Sequence, residues 1–295
     1  MILSVDNIGE HEMVDVITYI TRKSHKPLII IPVLLMILSL LYLGIFGLNE
    51  GVDLKGGTLA TLELKEPMSE VEVTNLVSGE LGIHDVKTSV SGNTATVTIA
   101  GDVDQAQFEQ KFSDKFNILS FKSVGALLSD AAMEQIVYAL LFAFVFMAIT
   151  VFYVFRDPVP SLAIILSAVC NLSIAVGSMS LFGIPLSVAS VGALLMLIGY
   201  GVDTDILLTT RLLKRSDGDL DDRAEGACKT GITLTISALA SMIVLFIVVK
   251  LFIPSAQVLE DISAVLIMGL LSDLLSTWLM NLGILKWHME RGGHN

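Results

Sequence analysis

The sequence predicts an α-helical polytopic membrane protein with six transmembrane helices and one small extracytoplasmic α+β domain of ferredoxin-like order. Three observations carry this reading. Of 295 residues, 53% are hydrophobic and only 16% are charged, against roughly 25% charged in soluble globular domains. Six apolar runs are long enough, at about 1.5 Å rise per residue, for a helix to cross about 30 Å of hydrocarbon. A single polar stretch, residues 49–131, interrupts them with strand-like alternation. The composition excludes a purely cytosolic enzyme. The net charge of -12, from 18 basic and 30 acidic residues, offers no attraction for phosphates, so no nucleic acid is expected as a partner.

Residues 1–26 form a cytoplasmic N-terminal segment. Val14, Ile17 and Ile20 beside Arg22, Lys23 and Lys26 fit either a short helix on the membrane surface or a solvated tail. The first span covers 27–48; the acidic residues ahead of it and the lack of a small-x-small site after it mark a retained anchor rather than a cleaved signal. Spans two to six fill 132–286, as runs at 132–155, 160–182, 186–210, 230–250 and 262–286, and 287–295 is a cytoplasmic tail. With the N-terminus inside, 11 of the 18 lysines and arginines fall on inner flanks and only Lys250 on a short outer flank; the remaining six lie in 49–131. The positive-inside rule therefore puts both termini in the cytoplasm and 49–131 outside.

Within 49–131, alternation from Leu59 to Leu64 reads as a strand. Ser69 with Glu72 is a capping box opening a helix. Val86–Val90 and Thr94–Ile99 form a hairpin around Ser91, Gly92 and Asn93. A second helix is expected from Asp104 through Phe116, stacking Phe108, Phe112 and Phe116 at four-residue spacing, and Ile118–Phe121 closes as a strand. The order β-α-β-β-α-β is ferredoxin-like. Its 13 acidic and six basic residues make a solvated acidic surface.

The polar residues inside the spans are the functional candidates, because a carboxylate at bilayer depth costs several kcal/mol without a partner, water or a role. Asp203 and Asp205 lie in the fourth span, Asp273 in the sixth. Two residues apart, Asp203 and Asp205 point about 160° from each other on a helix. One is expected to face the bundle interior, the other a neighbouring subunit or water. Gly199 and Gly201 permit close packing or a local break. Lys229 is the nearest basic complement, with a snorkelling role equally open. Thr204, Thr209, Thr210, Thr230, Thr233, Thr235, Ser237 and Asn171 are expected mostly as helix-packing hydrogen bonds. Asp273, Ser276, Thr277 and Asn281 share one face, which should be buried in protein. Cys170 and Cys228 have neither disulfide nor zinc spacing. No catalytic triad, phosphate loop or metal constellation is visible, so neither an enzyme, a cofactor nor a metal is expected.

The string GVDLKGGT at 51–58, with Gly51, Asp53, Gly56, Gly57 and Thr58, resembles the signature that opens the outer domain in the SecD/SecF protein-export family of the resistance-nodulation-division superfamily. FYVFRDP at 152–158 and the block at 180–215 are similar to that family as well. Six spans and one small domain match its SecF members, since SecD members carry a much larger outer region. The resemblance implies pairing with SecD, association with the Sec translocon channel, contact with a translocating polypeptide, and work driven by the proton gradient or, in some members, sodium. It also implies a displaced relay. The fourth-span aspartate of bacterial members falls on Thr204, their preceding asparagine on Asp203, their fifth-span arginine on Lys229 and a third-span aspartate on Asn171; with Asp205 and Asp273 these make the candidate ion or proton relay. The acidic composition and the displacement look like the archaeal branch. The alternative function is a stand-alone exporter of lipids or small hydrophobic compounds, and a scaffolding subunit without ion coupling is a third reading.

Overall fold

The computed structural model describes residues 25–214, 219–253 and 255–292. The N-terminal reading around Val14, Ile17 and Ile20 lies outside them. Among the described residues, six helices are long and apolar enough to cross a membrane. They are α1 (His25–Phe46), α5 (Ala126–Phe155), α6 (Pro158–Phe182), α7 (Val188–Lys214), α8 (Leu220–Phe252) and a last one built from α9 (Gln257–Leu275), a π-helical turn (Ser276–Asn281) and α10 (Leu282–Gly292). Local signals set their ends. Asp157 caps α6 through Val159 N–H with Pro158 in the first turn, and Gly183 in the left-handed conformation stops it. Asp219 and Asp222 form a capping box that starts α8 ten residues before the apolar run at 230–250. The charged first turns of α8 therefore project beyond the hydrocarbon.

The helices form two classes. More than half of the apolar stretch of α6, α7 and the last span is buried, whereas α1, α5 and α8 bury little. Leu34, Leu41, Phe142, Phe146, Val244 and Leu251 stand outward on the latter three, forming the apolar belt that lipid would cover. The inner three pack closely. Leu197 of α7 sits over Gly269 of α9, where a Cβ would come within 2.4 Å of its side chain.

Between α1 and α5 stand the short helix α2 (Val52–Lys55), β1 (Gly57–Leu64), α3 (Glu70–Leu81), β2 (Val86–Ser91), β3 (Thr94–Ile99), α4 (Gln105–Phe112) and β4 (Phe116–Val124). The strands form one antiparallel sheet in the order β2-β3-β1-β4, the ferredoxin-like arrangement. Its core joins Leu62, Leu64, Val73, Val77, Val97, Ile99, Phe108 and Phe112. The capping box forms as the sequence predicts, and the backbone N–H and hydroxyl of Ser69 hold the Glu72 carboxyl below its ordinary range. One expectation is corrected. The second helix ends at Phe112, and Phe116 is the first residue of β4, which begins two residues before the expected Ile118. Four-residue spacing was a poor guide here because Phe116 reaches the same core from a strand, packing on Phe112 with ring centroids 5.9 Å apart.

Candidate functional site

Two places draw the singled-out residues together. The first is the seam between the outer sheet and the membrane helices, built from the glycine string. Gly51 N–H donates to Leu186 O at 2.8 Å, and Leu186 N–H returns a bond to Asn49 O at 2.7 Å. Asp53, 7% exposed, pairs with Lys122 of β4 at 2.6 Å and accepts from Val188 N–H at the start of α7 at 3.4 Å. Gly56 and Gly57 turn the chain into β1 with φ of 75° and 132°. A Cβ on Gly57 would lie 2.7 Å from Ile99 O, so the second glycine is required by both conformation and space. Thr58 Oγ1 donates to Gly101 O at 2.9 Å and accepts from Val103 N–H at 3.0 Å. The string thus ties sheet, α2 and α7 at one point.

The second place lies inside the membrane helices. Asp205 and Asp273 are each 1% exposed. Asp205 Oδ1 accepts from Ser167 Oγ of α6 at 3.1 Å and from Asn281 Nδ2 at 2.8 Å. Asp273 accepts from Asn171 Nδ2 at 3.2 Å, from Thr204 Oγ1 at 3.2 Å and from Thr277 Oγ1 at 3.2 Å. Asn171 is fixed in turn by Ser272, whose hydroxyl donates to its side-chain oxygen. Gly201 makes room for this, since a Cβ there would stand 3.0 Å from both Asn171 Nδ2 and Asp273 Oδ1. Every one of these donors is uncharged.

Of the expected relay residues, the structure joins Asn171, Thr204, Asp205 and Asp273. It does not join the other two. Asp203 is exposed on the opposite side of α7, and Lys229 is exposed on α8, giving none of the bonds to the two buried carboxylates. Lys229 as complement of a buried aspartate is therefore corrected: α8 is a peripheral helix and turns this position outward. Helix α7 also runs unbroken past Gly199 and Gly201. The packing role of most span hydroxyls is corrected too. Thr209, Thr230, Thr233, Thr235 and Ser237 each donate to the carbonyl four residues back in their own helix. The face of Asp273, Ser276, Thr277 and Asn281 is wholly buried as the spacing predicts. Ser167 escaped the sequence reading, although it precedes Asn171 by four residues on α6 and so shares its face.

Comparison with known proteins agrees with this architecture. Residues 104–291 match the model of the protein export membrane protein SecD/SecF C-terminal family, and 42–68 match the SecD/SecF GG motif. The chain belongs to the SecD/SecF protein-export family. It is 54% identical to the protein-export membrane protein SecF of Methanothermobacter thermautotrophicus, over 95% of this chain and 98% of that one. With SecF of Methanocaldococcus jannaschii it shares 44% identity over 90% of this chain and 96% of the relative. The crystal structure of SecDF, a translocon-associated membrane protein from Thermus thermophilus, superposes with a TM-score of 0.74 at 20% identity, over 90% of this chain. This chain spans 38% of the SecDF chain, so that likeness speaks for the fold alone. As a SecD/SecF family member this multi-pass membrane protein serves an accessory role in Sec-dependent protein export.

Asn171 and Thr204, two of the positions that the family resemblance singled out, both hydrogen-bond to Asp273 of the sixth span.

Proposed function

We propose that this chain pairs with a SecD-type half in the cell membrane, next to the Sec translocon channel, and promotes outward movement of a polypeptide by taking up and releasing protons at Asp205 and Asp273. Both termini are then cytoplasmic and residues 49–131 lie outside, next to the emerging chain. The observation that carries the proposal is the pair of buried carboxylates whose hydrogen bonds, among the described residues, come from Ser167, Asn171, Thr204, Thr277 and Asn281. Two negative charges in a low-dielectric interior, with no cation bonded to them among the described residues, are costly. Binding a proton removes that cost, and the hydroxyls and amides around the pair can reorient to suit either state. The string at 51–58 supports the mechanical half of the proposal, because it fastens the outer sheet to the start of α7, the helix that carries Asp205.

Pairing is supported by the outward face of α7. Val188, Gly192, Met196, Gly199 and Asp203 follow one another at three- and four-residue steps and are all exposed. A Cβ at Gly192 or Gly199 would meet nothing within 4 Å. Small residues beside a carboxylate at bilayer depth suit a second helix bundle that offers a hydrogen-bond donor, and they do not suit lipid. The test is export in cells carrying Asp205→Asn or Asp273→Asn with the partner present. Maturation of secreted proteins is expected to slow to the level of a deletion strain in at least one variant, with the protein still inserted and paired. Normal maturation in both would leave a scaffold without proton coupling.

A further inference from the structure

Asn281 uses the donor side of its carboxamide and leaves the acceptor side unused. Its Nδ2 donates to Asp205 Oδ1 at 2.8 Å, while its Oδ1, in a side chain that is 0% exposed, has no hydrogen-bond partner among the described residues. A buried acceptor left unmatched costs about 1–3 kcal/mol, so its position beside a carboxylate asks for a reason. The residue also ends the π-helical turn Ser276–Asn281, in which Leu282 N–H reaches back to Thr277 O, five residues earlier. Turns of this kind are uncommon and cluster at functional sites. Within the turn Thr277 serves Asp273 and Asn281 serves Asp205, so one backbone irregularity holds both carboxylates.

We infer that Asn281 is a positioning residue that reads the protonation state of Asp205 by turning its amide. When Asp205 is ionised, its oxygen accepts from Nδ2, the arrangement observed. When a proton from water adds to that oxygen, an O–H bond forms and the group becomes a donor, which Nδ2 cannot accept. A half-turn of the amide presents Oδ1 to it and matches the orphan acceptor. The two orientations load the π turn differently, and α10 follows directly from that turn, carrying Lys286 and its 2.8 Å bond to Asp221 at the inner end of α8. This inference rests on the reading of Asp205 as a proton carrier.

The titratable groups around Asn281 are few. Asp205 faces it from α7, Asp273 of α9 is held by Thr277 of the same π turn, and the Cys170 thiol stands on α6, bonded to Pro32 O of α1. Helix α1 also packs on the π turn but carries only His25, Lys26 and Tyr42, with His25 paired to Glu290 at 3.0 Å. The charged residues of α10 lie at the inner end, and Lys229 of α8 is exposed. A pH-dependent change in the Asn281 amide therefore reports Asp205.

The test is an infrared pH titration of the full chain reconstituted with its partner in liposomes. The Asp205 carboxyl band is identified by its loss in Asp205→Asn, and the Asn281 amide band by its loss in Asn281→Leu, which keeps the branching and heavy-atom count of the side chain and removes both polar atoms. The two bands are expected to change together in the native protein. In Asn281→Leu the Asp205 band is expected to appear at a pH about one unit higher, a tenfold change in proton affinity from losing one donor to a carboxylate. Asn281→Gln keeps donor and acceptor and should restore most of that unit. Asn281→Asp serves if the leucine variant fails to fold, and its added carboxylate should move the band further in the same direction. An Asp205 band that titrates as in the native protein in Asn281→Leu or Asn281→Asp, or an amide band that ignores pH, overturns the inference even if melting temperature falls. The two proposals fail separately: normal export by both Asp205→Asn and Asp273→Asn removes the relay, whereas an unmoved Asp205 band removes the role of Asn281.

Discussion

Asp203 and Asp205 stand two residues apart on α7, yet one is exposed and the other is 1% exposed between α6 and the last span. Helical geometry forces that divergence, since about 100° per residue turns two successive odd positions to nearly opposite sides. What each side chain meets then sets its chemistry: five uncharged donors surround the Asp205 and Asp273 pair, and nothing from the described chain covers Asp203 in the same way. Gly57 makes a similar point outside the membrane. Replacing it with alanine should destabilise the outer sheet by about 2 kcal/mol or more, because a φ of 132° and a carbonyl 2.7 Å from the new Cβ act together. Gly79→Ala in α3, where a Cβ meets nothing within 4 Å, should instead be neutral or stabilising by up to about 1 kcal/mol. Thermal unfolding of the two full-length variants, followed by circular dichroism, decides between them; similar melting would remove the steric reading of the motif.

At the level of elements, the last span is the one that departs from a uniform helix. The apolar run at 262–286 reads as a single cylinder, but the helix changes to a π turn at Ser276 and back at Leu282. The extra residue lets Trp278 point into the bundle, where it lies against Gly231 of α8. A Cβ on Gly231 would come within 2.0 Å of the indole ring, so Gly231→Ala cannot be absorbed without moving Trp278 or the turn itself. The substitution is expected to cost about 1–3 kcal/mol and to shift tryptophan emission, with a lower aggregation temperature in detergent. An unchanged spectrum and temperature would mean the turn is held by other contacts. The α4 to β4 passage shows the reverse relation, in which a regular four-residue spacing of Phe108, Phe112 and Phe116 hid the end of a helix. Burial of all three rings constrains where they point and leaves open which backbone carries them.

For the whole molecule, the exposed face of α7, which nothing among the described residues covers, and the peripheral positions of α1, α5 and α8 are what the proposed pairing with a second helix bundle would use. Lipid satisfies the outward leucines, isoleucines and phenylalanines of the peripheral helices. It does not satisfy Asp203, so the proposed pairing predicts the contact with a second bundle on α7. A bulky residue there tests this. Gly199→Leu adds volume where the described chain has open space, so the variant should fold as the native chain does and yet lose most of its co-purification with a SecD-type partner. Retained co-purification at native level would place the contact on another helix.

The sequence by itself determined the number of spans, the antiparallel order of the outer domain, the capping box at Ser69 and the family, because these follow from short-range periodicity and from a contiguous string at 51–58. It also limited the membrane carboxylates to Asp203, Asp205 and Asp273. Tertiary structure alone decided which of them meet. Asn171, Thr204 and Asp273 are separated by 33 and 69 positions, and only the packing of α6, α7 and α9 brings them within hydrogen-bonding distance. The outward turn of Lys229 and the π turn that places Asn281 on Asp205 were equally beyond sequence periodicity. Periodicity fixes the angle of a side chain about its own helix axis, whereas the neighbour it meets depends on the positions of the other helices in the bundle.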